Sequence, residues 1–215
     1  MRIAIIGGHG QIALGLTALL TERGNAVLSV IRNPNHAGDV EKVGGQPIVL
    51  DLERQGADEL VTALSGVDAV VFAAGAGPGS GPERKYTVDR DASILLADAA
   101  EKAGVRRFVQ ISTMGAGKPA AGGDESWVAY IDAKTQAEND LRQRDLEWTI
   151  LRPGSLTNGP ATGRVRLTES VPAGSIPRLD VAAVLAELLI TGAATGRVLE
   201  LISGETSTEQ AVADL

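Results

Sequence analysis

Short apolar runs alternate with amphipathic segments along the whole chain, and this alternation limits the folds that the chain can adopt. Seven apolar runs predict β-strands, at Arg2–Gly7, Ala26–Ile31, Pro47–Leu50, Ala69–Ala74, Arg107–Ser112, Trp148–Leu151 and Val198–Ile202. Five segments between them predict helices, at Gln11–Arg23, Arg54–Leu64, Thr87–Ala103, Glu125–Arg144 and Asp180–Thr191. Strands that alternate with helices are typical of βαβ units. We therefore expect an α/β fold with a doubly wound, mostly parallel sheet of about seven strands and helices on both faces.

Individual residues mark several of these boundaries. Gly24 and Gly104 each follow a predicted helix, where glycine readily adopts the left-handed conformation that ends helices. Asp180 precedes the apolar residues of the last helix and is predicted to be its N-cap. A short strand is also predicted at Val165–Leu167.

The length of 215 residues favours one domain over two small ones. We expect a single domain over residues 1–215, with a small portion at about 155–180 on the substrate side. Two irregular stretches, Gly75–Pro82 and Thr157–Pro177, follow predicted strands. Loops beyond the carboxyl ends of strands bind ligands in open α/β sheets, although surface connections look similar in sequence.

Composition excludes several classes of function. The net charge is −7 and no dense Lys/Arg cluster is present, so neither nucleic acid nor an anionic membrane surface is an expected partner. The chain has no cysteine and two histidines, so we expect no metal site. It has no apolar run of membrane-spanning length and begins directly with the first strand. A cytoplasmic protein with no membrane segment is the simplest expectation.

A glycine-rich turn follows the first predicted strand. Gly7 and Gly8 end the apolar run, and Gly8-His9-Gly10-Gln11-Ile12-Ala13 satisfies the pattern G-x-G-x-x-G/A where a helix begins. Glycines there let a pyrophosphate approach the backbone, and the N–H groups of the helix start bind its charge. The pattern predicts dinucleotide binding at Gly7 to Ile12. A merely tight turn is the alternative.

The residues after the next two strands bear on the choice of nucleotide. The second strand ends in Ile31-Arg32-Asn33, without the carboxylate that binds the ribose 2′-hydroxyl of NAD. Arg32 can instead pair with a 2′-phosphate, which favours NADP(H) over NAD(H), although a solvated loop arginine would look the same. Asp51 follows the third strand and either meets the adenine edge or caps a turn.

Three polar residues suggest carbonyl chemistry. Tyr130 and Lys134 lie four apart on a predicted helix and therefore share one face. Ser112 ends the fifth predicted strand. Tyr130 would act as general acid, Lys134 as its electrostatic partner and ribose anchor, and Ser112 as a donor to the substrate oxygen. Alternatively, Tyr130 and Lys134 belong to a partly exposed helix face, where the tyrosine ring packs and the lysine amine is solvated.

Other residues have two interpretations each. His9 is either a catalytic base or a surface histidine of the glycine loop. Trp127 either packs or forms a wall of the substrate pocket. The arginines Arg164, Arg166 and Arg178 either favour an anionic substrate or belong to a solvated edge.

Six segments carry a resemblance to a known family: GGHGQIA, VIRNP, VVFAAGAG, FVQISTMGA, YIDAKTQAENDLR and WTILRPGSL. Together they resemble the short-chain dehydrogenase/reductase superfamily, above all its atypical branch of compact NAD(P)H-binding proteins. That branch includes flavin reductase and biliverdin reductase-like members and redox-sensing regulators. The resemblance covers the whole chain, and Ala13 stands where the third glycine is usual.

The resemblance implies a Rossmann-type fold and roles for further residues. It implies that Arg32 contacts the 2′-phosphate and that Asp51 and Leu52 lie on the adenine side. It places Ala73, Ala74 and Gly75 beside the adenosine ribose and Pro153, Gly154 and Ser155 beside the nicotinamide. It also assigns Ser112, Tyr130 and Lys134 to catalysis.

The expected function is that of an NADP(H)-dependent oxidoreductase that transfers a hydride to a small carbonyl, quinone-like or flavin acceptor. The alternative is an NADP(H)-binding redox sensor without turnover, because some atypical members bind cofactor without reacting. Sugar-nucleotide epimerase or dehydratase activity is a third hypothesis, but such enzymes usually have a larger C-terminal substrate domain. The substrate is a small molecule in each case, and the oligomeric state stays open between monomer and homodimer.

Overall fold

A computed structural model describes residues 1–54, 56–77 and 79–215. The described residues contain eleven strands: β1 (Arg2–Ile6), β2 (Ala26–Ile31), β3 (Gln46–Val49), β4 (Ala69–Phe72), β5 (Arg107–Ile111), β6 (Glu147–Pro153), β7 (Ser155–Thr157), β8 (Arg164–Thr168), β9 (Ser175–Pro177), β10 (Arg197–Ser203) and β11 (Thr206–Ser207). They contain eight α-helices: α1 (Gln11–Glu22), α2 (Ala37–Lys42), α3 (Ala57–Ala63), α4 (Pro82–Arg84), α5 (Ala92–Ala103), α6 (Glu125–Leu141), α7 (Arg178–Thr191) and α8 (Thr208–Ala213).

Nine of the strands form one sheet in the order β11-β8-β10-β6-β5-β4-β1-β2-β3. The pairs from β3 to β10 are parallel, whereas β8 pairs antiparallel with both β10 and β11. This confirms the α/β fold with a mostly parallel sheet. It has nine strands rather than about seven because β8 and the two-residue β11 extend one edge. β7 and β9 pair separately.

The chain reverses its direction of winding between β1 and β4. β2 and β3 continue the sheet on one side of β1, whereas β4, β5 and β6 continue it on the other. In open α/β sheets, ligands bind beyond the carboxyl ends of the strands at such a reversal. The topology therefore places a crevice beside Gly7 and Ala73, which follow β1 and β4.

Hydrophobic cores cover both faces of the sheet. Ile3 and Ile5 of β1 belong to one core, and Ala4 and Ile6 belong to the other. This alternation follows from the strand geometry, in which successive side chains point to opposite faces. Helices α1 and α7 contribute to the first core, and α3 and α5 contribute to the second.

Several predicted boundaries are confirmed, and others change. Gly24 and Gly104 adopt φ angles of +78° and +74° at the ends of α1 and α5, as predicted. The strand predicted at Val165–Leu167 is β8. The helix predicted over Thr87–Ala103 is instead a π-helical segment, Lys85–Asp91, followed by α5.

The prediction for Asp180 is wrong. Pro177 is the N-cap of α7, and Asp180 lies within the first helical turn with no exposed surface. Its carboxylate accepts hydrogen bonds from the backbone N–H groups of Thr162 and Gly163 and from the Thr162 hydroxyl. Asp180 therefore fixes the preceding loop rather than its own helix.

Two predicted segments include residues outside those described. They are Gln55, in the helix predicted at Arg54–Leu64, and Pro78, in the loop predicted at Gly75–Pro82. Helix α3 begins at Ala57. Among the described residues, no helix combines the length and apolarity of a membrane span, and no cluster of acidic side chains and histidines offers three ligands to a metal ion.

Candidate cofactor and active site

A cleft of about 370 Å³ lies beyond the carboxyl ends of β1, β2 and β4. Nine of the predicted cofactor-binding residues line it: Gly7, His9, Gly10, Arg32, Asp51, Leu52, Ala73, Ala74 and Gly75. Seven predicted residues lie outside its lining: Gly8, Gln11, Ile12, Lys134, Pro153, Gly154 and Ser155. Most of the residues predicted for the adenosine and phosphate side thus share one cleft, with Gly8, Gln11 and Ile12 as exceptions, whereas those predicted for catalysis and the nicotinamide do not line it.

The first two glycines satisfy the packing of the sheet. Gly7 has a φ of +80°, and a Cβ there would lie 2.7 Å from the Cα of Ala74. A Cβ on Gly8 would lie 2.5 Å from the Cβ of Ser29. The N–H groups of both glycines donate to the Val30 carbonyl, at 3.1 and 2.9 Å. Side chains at either position would therefore push the turn away from β4 and β2.

Gly10 differs from the other two glycines. A Cβ on Gly10 would meet one atom within 4 Å, the Gly7 carbonyl oxygen at 3.3 Å, and the residue is exposed at the N-terminus of α1. Leu14 makes the first hydrogen bond of the helix, to the Gly10 carbonyl. The N–H groups of Gln11, Ile12 and Ala13 precede it and can bind an anion. The turn therefore fits the pyrophosphate of a dinucleotide.

Arg32 lies in the cleft beside an acidic residue that the sequence analysis missed. Its Nη1 donates to Glu53 Oε2 at 3.0 Å, and its side chain is 55% exposed. Arg84 Nη2 and Thr87 Oγ1 donate to the same carboxylate, at 2.7 and 2.8 Å. The hydrogen bond from Arg84, more than any other interaction, lowers the pKa of Glu53. Glu53 gave no sequence signal because Arg84 and Thr87 are more than thirty residues away.

The two histidines lie together at the cleft. The rings of His9 and His36 stack with centroids 3.6 Å apart, and His9 Nε2 lies 3.1 Å from Asp39 Oδ2. Asp39 also accepts a hydrogen bond from Lys42, at 2.8 Å. His9 and His36 both line the cleft, and His9 is one of the residues predicted to bind the cofactor.

Asp51 shows features of both of its interpretations. It lines the cleft together with Leu52, and its Oδ1 accepts a hydrogen bond from the Glu53 N–H at 3.1 Å. It therefore caps the turn after β3 while remaining beside the cleft.

Lys134 is buried, with 3% of its surface exposed. Its Nζ donates to the Ile111 carbonyl at 3.2 Å and lies 3.2 Å from Asp89 Oδ1. The same Nζ lies 5.9 Å from the centroid of the Tyr130 ring. The helical spacing thus brings Tyr130 and Lys134 together. The carboxylate of Asp89, which gave no signal in the sequence, holds the lysine.

Asp89 connects this lysine to the cleft. It has no exposed surface, and its Oδ2 accepts a hydrogen bond from the N–H of Ala76, which lines the cleft. A Cβ on Gly75 would lie 3.1 Å from Oδ1. Asp89 belongs to the π-helical segment, and such segments are frequent at functional sites.

Ser112 makes a different contact from the one its predicted role requires. Its hydroxyl donates to Glu138 Oε1 at 2.5 Å, and Arg152 pairs with the same carboxylate. Ser112 and Glu138 are both buried. The hydroxyl proton is thus held by Glu138, and donation to a substrate oxygen requires this bond to break. The catalytic role of Ser112 stays a prediction.

The segment from Pro153 to Ser155 joins β6 to β7. The Pro153 carbonyl accepts from Met114 N–H, and Gly154 N–H donates to the Leu201 carbonyl. A Cβ on Gly154 would lie 2.4 Å from the Gly174 carbonyl oxygen. This glycine therefore permits the close approach of two backbone segments, and the predicted nicotinamide contacts stay predictions.

A second lysine lies beside Tyr130. Lys85 has 7% of its surface exposed, and its Nζ lies 5.7 Å from the Tyr130 ring centroid. The centroid of a Trp127 ring lies 5.6 Å from that of Tyr130, and Trp127 is 45% exposed. Trp127 thus lies next to the candidate acid.

Two arginines singled out in the sequence, Arg164 and Arg178, donate hydrogen bonds. Arg164 donates to the Glu205 carbonyl, and Arg178 donates to Asn158.

The sequence is similar to those of several known proteins. The sequence pattern of the NAD(P)H-binding family matches residues 7–191. The Bacillus subtilis protein named uncharacterized sugar epimerase YhfK is 30% identical over 216 residues, which cover 100% of both chains.

Solved structures show the same similarity. A putative NAD-dependent epimerase/dehydratase from Bacillus halodurans is 32% identical, with a TM-score of 0.93 and 100% of both chains covered. The anaerobillin reductase ChuY from Escherichia coli O157:H7 is 26% identical, with a TM-score of 0.79, and the match covers 96% of this chain and 99% of that one.

Proposed function

The chain belongs to the NAD(P)H-binding family, and we propose that it is an NADP(H)-dependent oxidoreductase of the atypical branch of the short-chain dehydrogenases/reductases. We propose that it transfers a hydride to a small carbonyl, quinone-like or flavin acceptor. The observation that carries this proposal is the buried Lys134 ammonium, which lies beside Tyr130 and is tied through Asp89 to the cleft. The similarity to an anaerobillin reductase supports reductase chemistry.

The residues of the cleft suit the cofactor. The turn from Gly7 to Gly10 and the first N–H groups of α1 would hold the pyrophosphate. Arg32 would pair with the 2′-phosphate of the adenosine, exchanging its contact with Glu53 for one with the ligand. When bound, the nicotinamide supplies the hydride.

Proton transfer falls to the side chains of α6. Tyr130 donates its phenolic proton to the acceptor oxygen as negative charge develops there. The nearby Lys134 ammonium stabilises the tyrosinate that remains. Asp89 and the Ile111 carbonyl hold this ammonium in place.

The cofactor preference is tested by calorimetric titration of NADPH and NADH. We expect wild type to bind NADPH more tightly and Arg32→Ala to lose most of that advantage, because a hydrogen bond to a charged group contributes about 1.5–3 kcal/mol. Arg142→Ala, at the exposed end of α6, serves as control and should bind as wild type does. Equal affinity of wild type for the two nucleotides would contradict the NADP(H) preference.

Turnover is tested with Tyr130→Phe. We expect NADPH affinity to be unchanged and acceptor reduction to fall by roughly 10²- to 10⁴-fold, the usual contribution of a general acid. Tyr86→Phe is the matched control. It removes a hydroxyl that donates to Asp132, and turnover should stay at the wild-type level. Retained turnover in Tyr130→Phe would remove the tyrosine from the mechanism.

The same assays separate the alternatives. Tight NADPH binding by wild type without reduction of any acceptor in a broad screen favours the redox sensor. Two relatives carry epimerase names, which favours sugar-nucleotide epimerisation as a second candidate. Epimerisation has no net redox change, so a sugar nucleotide that is isomerised without consumption of NADPH identifies that reaction.

A further inference from the structure

Lys85 is a buried cation without an acidic partner among the described residues. It begins the π-helical segment Lys85–Asp91 and is 7% exposed. Its Nζ donates to the Gly77 carbonyl at 2.7 Å, which uses one of the three donors of an ammonium group. No carboxylate of residues 1–54, 56–77 or 79–215 lies within ion-pair distance of it.

This arrangement is costly by itself. A charge taken out of water is stabilised in proteins by pairing, and a cation without a counter-charge carries an uncompensated desolvation penalty. The other buried lysine of the site shows the usual solution, because Lys134 lies 3.2 Å from Asp89. Within residues 1–54, 56–77 and 79–215, two donors of the Lys85 ammonium group and its positive charge therefore remain for an anion.

The position of Lys85 indicates which anion this is. The Nζ atoms of Lys85 and Lys134 lie 5.7 and 5.9 Å from the centroid of the same Tyr130 ring. Trp127, which is 45% exposed, extends the aromatic surface from Tyr130 towards solvent. A molecule bound against these two rings would place one end at the tyrosine and a charged group near Lys85.

We propose that Lys85 binds a carboxylate of the substrate, so that the acceptor is a small carboxylic acid whose reducible carbonyl lies at Tyr130. This inference rests on the proposed function and specifies its substrate class. A single ammonium neutralises one negative charge, which suits a carboxylate better than a phosphate dianion.

The test uses two probes that differ in charge, 4-carboxybenzaldehyde and its methyl ester, with saturating NADPH. We expect wild type to reduce the acid with at least about tenfold higher kcat/KM than the ester, the effect of one charge-assisted hydrogen bond. Lys85→Met should lose this preference through a higher KM for the acid, with unchanged NADPH affinity. Lys85→Arg should retain most of it.

Lys102→Gln is the matched control, because Lys102 is exposed in the last turn of α5, the helix that follows Lys85–Asp91. It should keep the wild-type preference for the acid. A wild type without that preference overturns the inference even if Lys85→Met does not fold. An equal preference in wild type and Lys85→Met overturns it as well.

A binding measurement distinguishes failure of the inference from failure of the proposed function. We expect 4-(hydroxymethyl)benzoate to bind NADP⁺-loaded wild type in calorimetry at least about tenfold more tightly than its methyl ester, and Lys85→Met to lose the difference. If the acid binds in this way but neither aldehyde is reduced, the anion site stands and the reductase proposal falls. If the ester is reduced as well as the acid, the reductase stands and the anion site falls.

Discussion

At the scale of single residues, the environment of each charged group decides what it can do. Lys134 and Lys85 lie near the same tyrosine ring, but Asp89 neutralises the first and no described carboxylate neutralises the second. Glu53 shows the opposite case, a carboxylate that receives hydrogen bonds from Arg84, Arg32 and Thr87. Such an excess of donors stabilises the ionised form of the acid.

The lowered pKa of Glu53 predicts an acid-dependent contribution to stability. A carboxylate whose pKa is lower in the folded state stabilises the protein above its unfolded pKa of about 4.3, and this contribution disappears as pH falls through the folded pKa. In urea unfolding, Glu53→Gln should therefore be less stable than wild type at pH 7, by no more than about 1 kcal/mol for so exposed a cluster.

The difference between wild type and Glu53→Gln should shrink as the pH is lowered below 4. Glu22→Gln, at the exposed C-terminal end of α1, is the control and should follow wild type throughout. A constant difference from pH 7 to pH 3 would contradict the interpretation.

Local spacing predicted some contacts of the site and missed others. Tyr130 and Lys134 share a face because their separation is one helical turn. Asp89 and Glu138 hold Lys134 and Ser112, but they are 45 and 26 residues away from them in the chain. Sequence patterns report neighbours along one element, whereas these contacts depend on how two elements pack.

At the scale of elements, α7 shows how a helix can serve a loop. Asp180 appeared to be an N-cap because an acidic residue precedes an apolar run, but the helix begins two residues earlier at Arg178. The buried carboxylate instead receives three hydrogen bonds from Thr162 and one from Gly163. It thereby fixes the loop that leads into β8.

Asp180→Asn should destabilise the protein by about 2–3 kcal/mol. The amide nitrogen would face N–H donors of the loop and leave them unsatisfied in a buried position. The free energy of unfolding in urea measures this loss. Asp145→Asn is the control, because the Asp145 side chain is 90% exposed in its pair with Arg106, and it should change stability much less than Asp180→Asn does. A similar, small change in both variants would show that the Asp180 contacts contribute little.

At the scale of the whole molecule, the alternation of apolar and amphipathic segments predicted the fold well. All seven predicted strands are present, because a parallel sheet covered on both faces needs continuous apolar runs. The two-residue β11 and the short helices α2 and α8 were missed, since segments of this length carry too little periodicity to be recognised. The π-helical turn was missed because π and α turns require similar residues.

In related chains, the glycines of the glycine-rich turn carry different information about ligand binding. Gly7 and Gly8 are required by the distance between the first turn and the neighbouring strands, whereas Gly10 is free of that demand. A related protein that no longer binds nucleotides would still need Gly7 and Gly8 in order to fold. Loss of Gly10 alone would therefore be the more informative sign of a changed ligand.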